Sequence, residues 1–182
     1  MHEIAYEPAL FERALAQLER ISETDSISTF FQPFLSGTEA TLDQRSALIK
    51  EYISEGKPFG FKCLEQTLKT RCTGHYINDS GAQIRSYGSL KTYTEQIEWY
   101  KHFLKVAESY AIGNNAANRQ EARKILVTNI FSLSDIQELQ GDLVNIVITI
   151  HAHTPWFALW KNLKVSEKAP QELIAALQPA RA

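Results

Sequence analysis

Apolar residues recur every three or four positions through most of the chain, which is the spacing of one face of an α-helix. The first such stretch follows Pro8, a residue suited to the first turn of a helix, and continues to Ile21. A second stretch, residues 26–35, carries three phenylalanines, contains Pro33 and ends near Gly37. The pattern therefore predicts a chain built mainly from amphipathic helices.

The next two predicted helices are delimited by residues typical of helix ends. Thr41 and Gln44 have the spacing of a capping box, and the helix that they open stops at Gly56. Pro58 then begins a helix that we expect to continue to Cys72.

The second half of the chain begins with the longest periodic stretch, which predicts a helix from Leu90 to Ile112. Gly113 ends it. Asn118 and Glu121 resemble another capping pair and predict the start of the following helix.

Residues 143–153 fit two periodicities. Their apolar side chains alternate, as in a strand, and this interpretation leads to an α+β fold. Apolar residues also recur at helical spacing from Ile136 to Ile150, and the same register extends to Trp160. We prefer the helix, because its match is longer and the sequence offers no obvious partner strand.

Residues 75–88 differ from the rest, since a turn sequence separates two short strand-like pieces there. They predict a small β-hairpin or an ordered loop. No repeat, linker or low-complexity tract divides the chain. The predicted fold is a mainly α, compact multi-helix domain that spans residues 1–182.

Charge and hydropathy narrow the classes of function. The 19 basic and 21 acidic residues nearly cancel, so no strong field favours nucleic acid. The longest apolar run, residues 143–150, is much shorter than the roughly 20 residues of a membrane span. The acidic N-terminus is unlike a secretory signal, and two widely spaced cysteines favour a reducing compartment. We expect a cytoplasmic protein.

Three histidines, His102, His151 and His153, could supply the nitrogen ligands of a zinc or iron ion, with His75 as a further candidate. The His-x-His pair chelates an ion on a strand, where residues two apart share a face. On a helix the same two side chains diverge by about 200°. The preferred helix therefore weakens the metal hypothesis.

Cys72 near His75 has the residue types of a thiol nucleophile and its base. Its position at a predicted helix C-terminus argues against a stabilised thiolate. No phosphate loop or dinucleotide motif is present.

Two aromatic pairs each lie one helical turn apart, Trp99 with Phe103 and Trp156 with Trp160. Such pairs usually belong to the core, and an exposed pair would anchor a partner helix or line a pocket.

Arg119 and Arg123 share a helix face, where a phosphate or an acidic partner could dock. Together these features favour a cytosolic regulatory or binding protein that presents a helical surface to a protein partner. The two alternatives are a small His-ligated metalloenzyme or metal sensor, and a small-molecule-binding domain with an aromatic pocket. The sequence assigns no cofactor and no oligomeric state.

Overall fold

The computed structural model describes residues 7–20, 24–33, 38–70 and 92–156. These residues form α-helices, 3-10 turns and connecting loops, and none of them lies in a strand. The prediction of a mainly α fold is thereby confirmed. The hairpin or loop predicted for residues 75–88 lies outside the described residues.

Seven α-helices follow one another along the described part of the chain. They are α1 (Phe11–Arg20), α2 (Thr24–Thr29), α3 (Leu42–Ser54), α4 (Gly60–Thr67), α5 (Tyr93–Ala111), α6 (Ala116–Ser134) and α7 (Gln140–His153). None of these helices is both long and apolar enough to cross a membrane.

The chain divides into two compact units, Met1–Trp99 and Tyr100–Ala182, and the boundary falls within α5. Each unit has its own set of buried apolar side chains. The prediction of a single domain over residues 1–182 stays a prediction.

The core of the first unit is a row of aromatic rings. α3 packs on α4, and α2 packs on both α1 and α4. Phe31 lies between Phe11 and Tyr52, with ring centroids 6.1 and 6.4 Å away, and Tyr52 meets Phe59 edge-on at 4.9 Å. The rings come from separate segments, so their burial joins α1, α3 and the residues that follow α2.

The two ends of α3 are those that the sequence predicts, whereas the element predicted over residues 26–35 is a shorter helix, Thr24–Thr29. The Thr41 hydroxyl accepts a hydrogen bond from the Gln44 amide at 3.2 Å, and the Gln44 side chain accepts one from the Thr41 amide at 3.0 Å. This is the predicted capping box at the start of α3. Gly56 follows the helix with a φ of 70°, a conformation that favours glycine.

α4 is shorter than predicted, since it ends at Thr67 instead of Cys72. The indole Nε1 of Trp99 donates a hydrogen bond of 2.8 Å to the Thr67 carbonyl. That bond satisfies one of the carbonyls that a helix leaves unpaired at its C-terminus. Cys72 itself lies outside the described residues.

The second unit contains most of α5 together with α6 and α7. α6 packs on α7. Lys101 of α5 forms an ion pair of 3.1 Å with Asp142 of α7. The fully buried side chains of this unit include Phe103, Leu133 and Val147, one from each of the three helices.

Residues 143–153 are helical, so the preferred prediction is confirmed and the strand alternative is wrong. Leu143, Ile146 and Ile150 form the buried stripe at helical spacing. Ile148 would share the buried face in a strand, whereas here it is 46% exposed. Helical hydrogen bonding and the longer apolar stripe thus outweigh the exposure of one isoleucine.

The predicted start of α6 at Asn118 is wrong by one turn. α6 begins at Ala116, and the side-chain oxygen of Asn115 accepts a hydrogen bond of 3.1 Å from the Asn118 amide. The Arg119 guanidinium donates to the carbonyl of Gly113 at 2.8 Å, which holds the preceding turn. Asn115 therefore caps the helix, and Asn118 is the residue that it caps.

Candidate functional site

Trp99 and Phe103, the first predicted aromatic pair, are both buried. Trp99 is 2% exposed and Phe103 is fully enclosed. The guanidinium of Arg45 lies over the Trp99 ring, 5.0 Å from its centroid. These positions are those of core side chains, and neither ring offers an exposed anchor.

The three candidate metal ligands are not brought together. His102 lies half-buried on α5, His151 is half-buried on α7, and His153 is exposed. Nδ1 of His151 accepts a hydrogen bond of 3.1 Å from the backbone amide of Trp156. Among the described residues, no group of three or more His, Cys, Asp or Glu side chains is placed to hold a metal ion. His75 and Cys72 lie outside these residues.

A groove of about 550 Å³ runs along one face of α6. Its walls include Arg119, Arg123 and Lys124, together with Trp156, which is 4% exposed and therefore contributes only a small part of its ring. The structure thus places three of the predicted site residues, Arg119, Arg123 and Trp156, around one concave surface of the second unit. Trp160, the other half of the second aromatic pair, is outside the described part of the chain.

Arg119 and Arg123 are positioned by the end of α5 and by the turn that follows it. Nη1 of Arg119 donates to the carbonyls of Gly113 and Asn114, at 2.8 and 2.9 Å. Nε of Arg123 donates to the carbonyl of Ala111 at 3.0 Å. The position of Arg123 is favourable for a basic side chain, because the last carbonyls of a helix carry partial negative charge. The same bonds fix both guanidiniums at the groove.

The remaining donors of Arg123 are incompletely satisfied. Its Nη2 is buried and makes no hydrogen bond with the described residues. The guanidinium carbon lies 5.9 Å from the centroid of the Trp156 ring, within the range of a cation–π contact. A buried guanidinium N–H without an acceptor is costly. Because Nη2 is enclosed, a ligand in the groove reaches it only if the side chain moves.

The electrostatic surroundings of Arg123 favour an anion in the groove. Burial lowers the pKa of Arg123 from its ordinary value, and the positive charge of Arg119 lowers it further. An anion beside the two guanidiniums would relieve both effects. No Asp or Glu is among the nine described residues that line the groove.

Sequence reasoning identified the two arginines but missed the groove around them. Gln120 and Val127 of α6 also line it, and so does Thr154, which lies two residues before Trp156. The spacing of these α6 residues is enough to predict that they share one face of the helix. No local pattern shows that residue 156 returns to the middle of α6, because that contact depends on how α7 ends.

No known protein family, curated protein or solved structure matches this chain.

Proposed function

We propose that this chain is a cytosolic binding protein whose second unit holds a protein partner in the groove of α6. The observation that carries the proposal is the concave surface that joins Arg119, Arg123 and Lys124 to the Trp156 ring without an acidic residue in its described lining. Arginine and tryptophan are the side chains most enriched among residues that dominate binding energy at protein interfaces.

The local charge of the groove differs from that of the whole chain. The formal net charge of the protein is −2, whereas the described lining of the groove carries only cationic charge. A local basic surface on a weakly acidic protein favours an acidic partner over a long polyanion such as nucleic acid. The free, buried thiol of Cys63 is consistent with a reducing compartment.

Two neighbouring alanines offer a matched test. Ala116 and Ala117 are both exposed in the first turn of α6, but only Ala116 lines the groove. Ala116→Trp should fill part of the groove, and Ala117→Trp should add the same side chain beside it. Both variants should keep the helical circular dichroism of the wild type.

The measurement is quantitative capture of proteins from native extract on the immobilised wild type and on each variant. A partner held in the groove is retained by the wild type and by Ala117→Trp, and is reduced at least about tenfold by Ala116→Trp. Equal recovery of every protein on all three baits would contradict the proposal.

A second candidate function rests on Trp156, since an aromatic ring beside two guanidiniums also suits a small apolar acid. The groove volume of about 550 Å³ lies within the usual range of small-molecule sites. Titration of the protein with a panel of aromatic and aliphatic acids, followed by tryptophan fluorescence, tests this candidate. It predicts saturable quenching whose apparent Kd is raised by Ala116→Trp and left unchanged by Ala117→Trp.

A further inference from the structure

The walls of the groove have the geometry of a helix-packing surface. One row of α6 side chains, four residues apart, contains Ala116, Gln120, Lys124 and Thr128. The adjacent row contains Arg119, Arg123 and Val127. Two neighbouring rows of this spacing enclose the furrow into which a row of side chains from a second helix packs, at a crossing angle of about −50°.

The backbone groups in this wall favour a helical ligand over an extended one. α6 is a regular helix from Ala116 to Ser134, so most of its backbone groups are already paired. An extended segment would bring its own amides and carbonyls into the groove, where Gln120 and Thr128 supply few partners. A helical ligand pairs its own backbone and offers only side chains.

The charge order along the groove defines the side chains that such a helix needs. Arg119 and Arg123 begin one row and Lys124 lies in the other, and Val127 follows Arg123 one turn later. Lys124 has a loose ion pair with Glu121 at 4.0 Å, and Glu121 does not line the groove. Trp156 lies beside Arg123 and, at 4% exposed, adds only a small apolar surface.

We infer that the occupant of the α6 groove is an acidic amphipathic helix of the partner protein, with two carboxylates four residues apart that pair with Arg119 and Arg123. An apolar side chain one turn further along the same helix contacts Val127. The inference rests on the proposed function, because it names the element of the partner that the groove binds.

The test uses two synthetic probes and the intact protein. Both probes are alanine-based helical peptides of about 16 residues with a leucine one turn beyond the charged pair. The first carries two glutamates four residues apart, and the second carries glutamines at those positions. Fluorescence anisotropy of the labelled peptides gives the Kd.

Charge reversal on the protein supplies the matched controls. Lys124→Glu reverses one charge in the groove, and Lys50→Glu makes the same change on an exposed position of α3. Lysine is chosen over the two arginines, because Arg119 and Arg123 also bond to backbone carbonyls and their loss would disturb the fold.

The glutamate peptide should bind at least about threefold more tightly than the glutamine peptide. Lys124→Glu should raise the Kd of the glutamate peptide by a similar factor, whereas Lys50→Glu should leave this Kd unchanged. Ala116→Trp should abolish binding of the peptide. Raising the salt from about 0.05 to about 0.5 M should reduce the preference for glutamate.

Equal binding of the two peptides, or no binding of either, overturns the inference. If Ala116→Trp still removes a partner from the capture experiment, the protein-binding function stands and only the acidic helix is excluded. If Ala116→Trp and Ala117→Trp also capture the same proteins in equal amounts, both proposals fail.

Discussion

Arg45 is a charged side chain that the first unit encloses almost completely, with 3% of its surface exposed. Its guanidinium donates hydrogen bonds to the carbonyls of Phe30, Gln32, Thr38 and Ala40, at 2.8 to 3.1 Å. Burial lowers its pKa to about 10, so the side chain stays charged at neutral pH. Arg45 therefore joins residues 30–32 to residues 38–40, the described segments on either side of residues 34–37.

Replacing Arg45 with methionine should lower the free energy of unfolding by about 3 to 5 kcal/mol. The methionine roughly fills the space, but it leaves several buried carbonyls without donors, and each costs about 1 to 3 kcal/mol before relaxation. Lys50→Met, on an exposed position of the same helix, should change it by less than about 0.5 kcal/mol.

Urea denaturation followed by circular dichroism measures both variants. Equal stability of the two would show that Arg45 is not the bond donor that holds these backbone segments.

At the scale of single helices, the sequence predicts those ends that depend on local chemistry. The capping box of Thr41 and Gln44 is visible in the sequence because both partners lie within one turn. The end of α4 is not visible, because the bond that satisfies the Thr67 carbonyl comes from Trp99, far along the chain. Similarly, Asn115 and Asn118 are equally good caps by composition, and the contacts of Arg119 favour the first.

The rules for residues at and near helix ends can be tested by replacing two glycines with alanine, because the two replacements should change the stability in opposite directions. A Cβ atom at Gly56 or at Gly141 would meet no atom within 4 Å, so neither substitution creates a clash. Gly56 follows α3 at a φ of 70°, whereas Gly141 lies within α7. Both positions are exposed, and they differ in backbone conformation.

Gly56→Ala should destabilise the protein by about 1 kcal/mol, because alanine is strained at positive φ. Gly141→Ala should stabilise it by up to about 1 kcal/mol, because alanine is the better helix former. The midpoints of urea unfolding compare the two. Shifts of the same sign would contradict the assigned ends of α3 and α7.

At the scale of the whole molecule, the mainly α fold class follows from the helical spacing of apolar residues. The groove of α6 instead depends on contacts between segments that are distant in the sequence. Arg119 and Arg123 were recognisable because residues four apart share a helix face. Trp156 joins them only because α7 ends at His153 and the next residues turn back, with the Trp156 amide bonded to Nδ1 of His151. The position of Trp156 beside Arg123 could not be predicted from local spacing.

The groove of α6 is the surface at which we propose that a partner binds. The most direct measurement is photo-cross-linking from a diazirine amino acid no larger than glutamine, which leaves the groove open, placed at Gln120, inside the groove, or at Ala117, one turn earlier and outside it. We predict that irradiation of native extract yields a covalent partner adduct from position 120 and at least about tenfold less from position 117. Equal adducts from the two positions, or none from position 120, would contradict the claim.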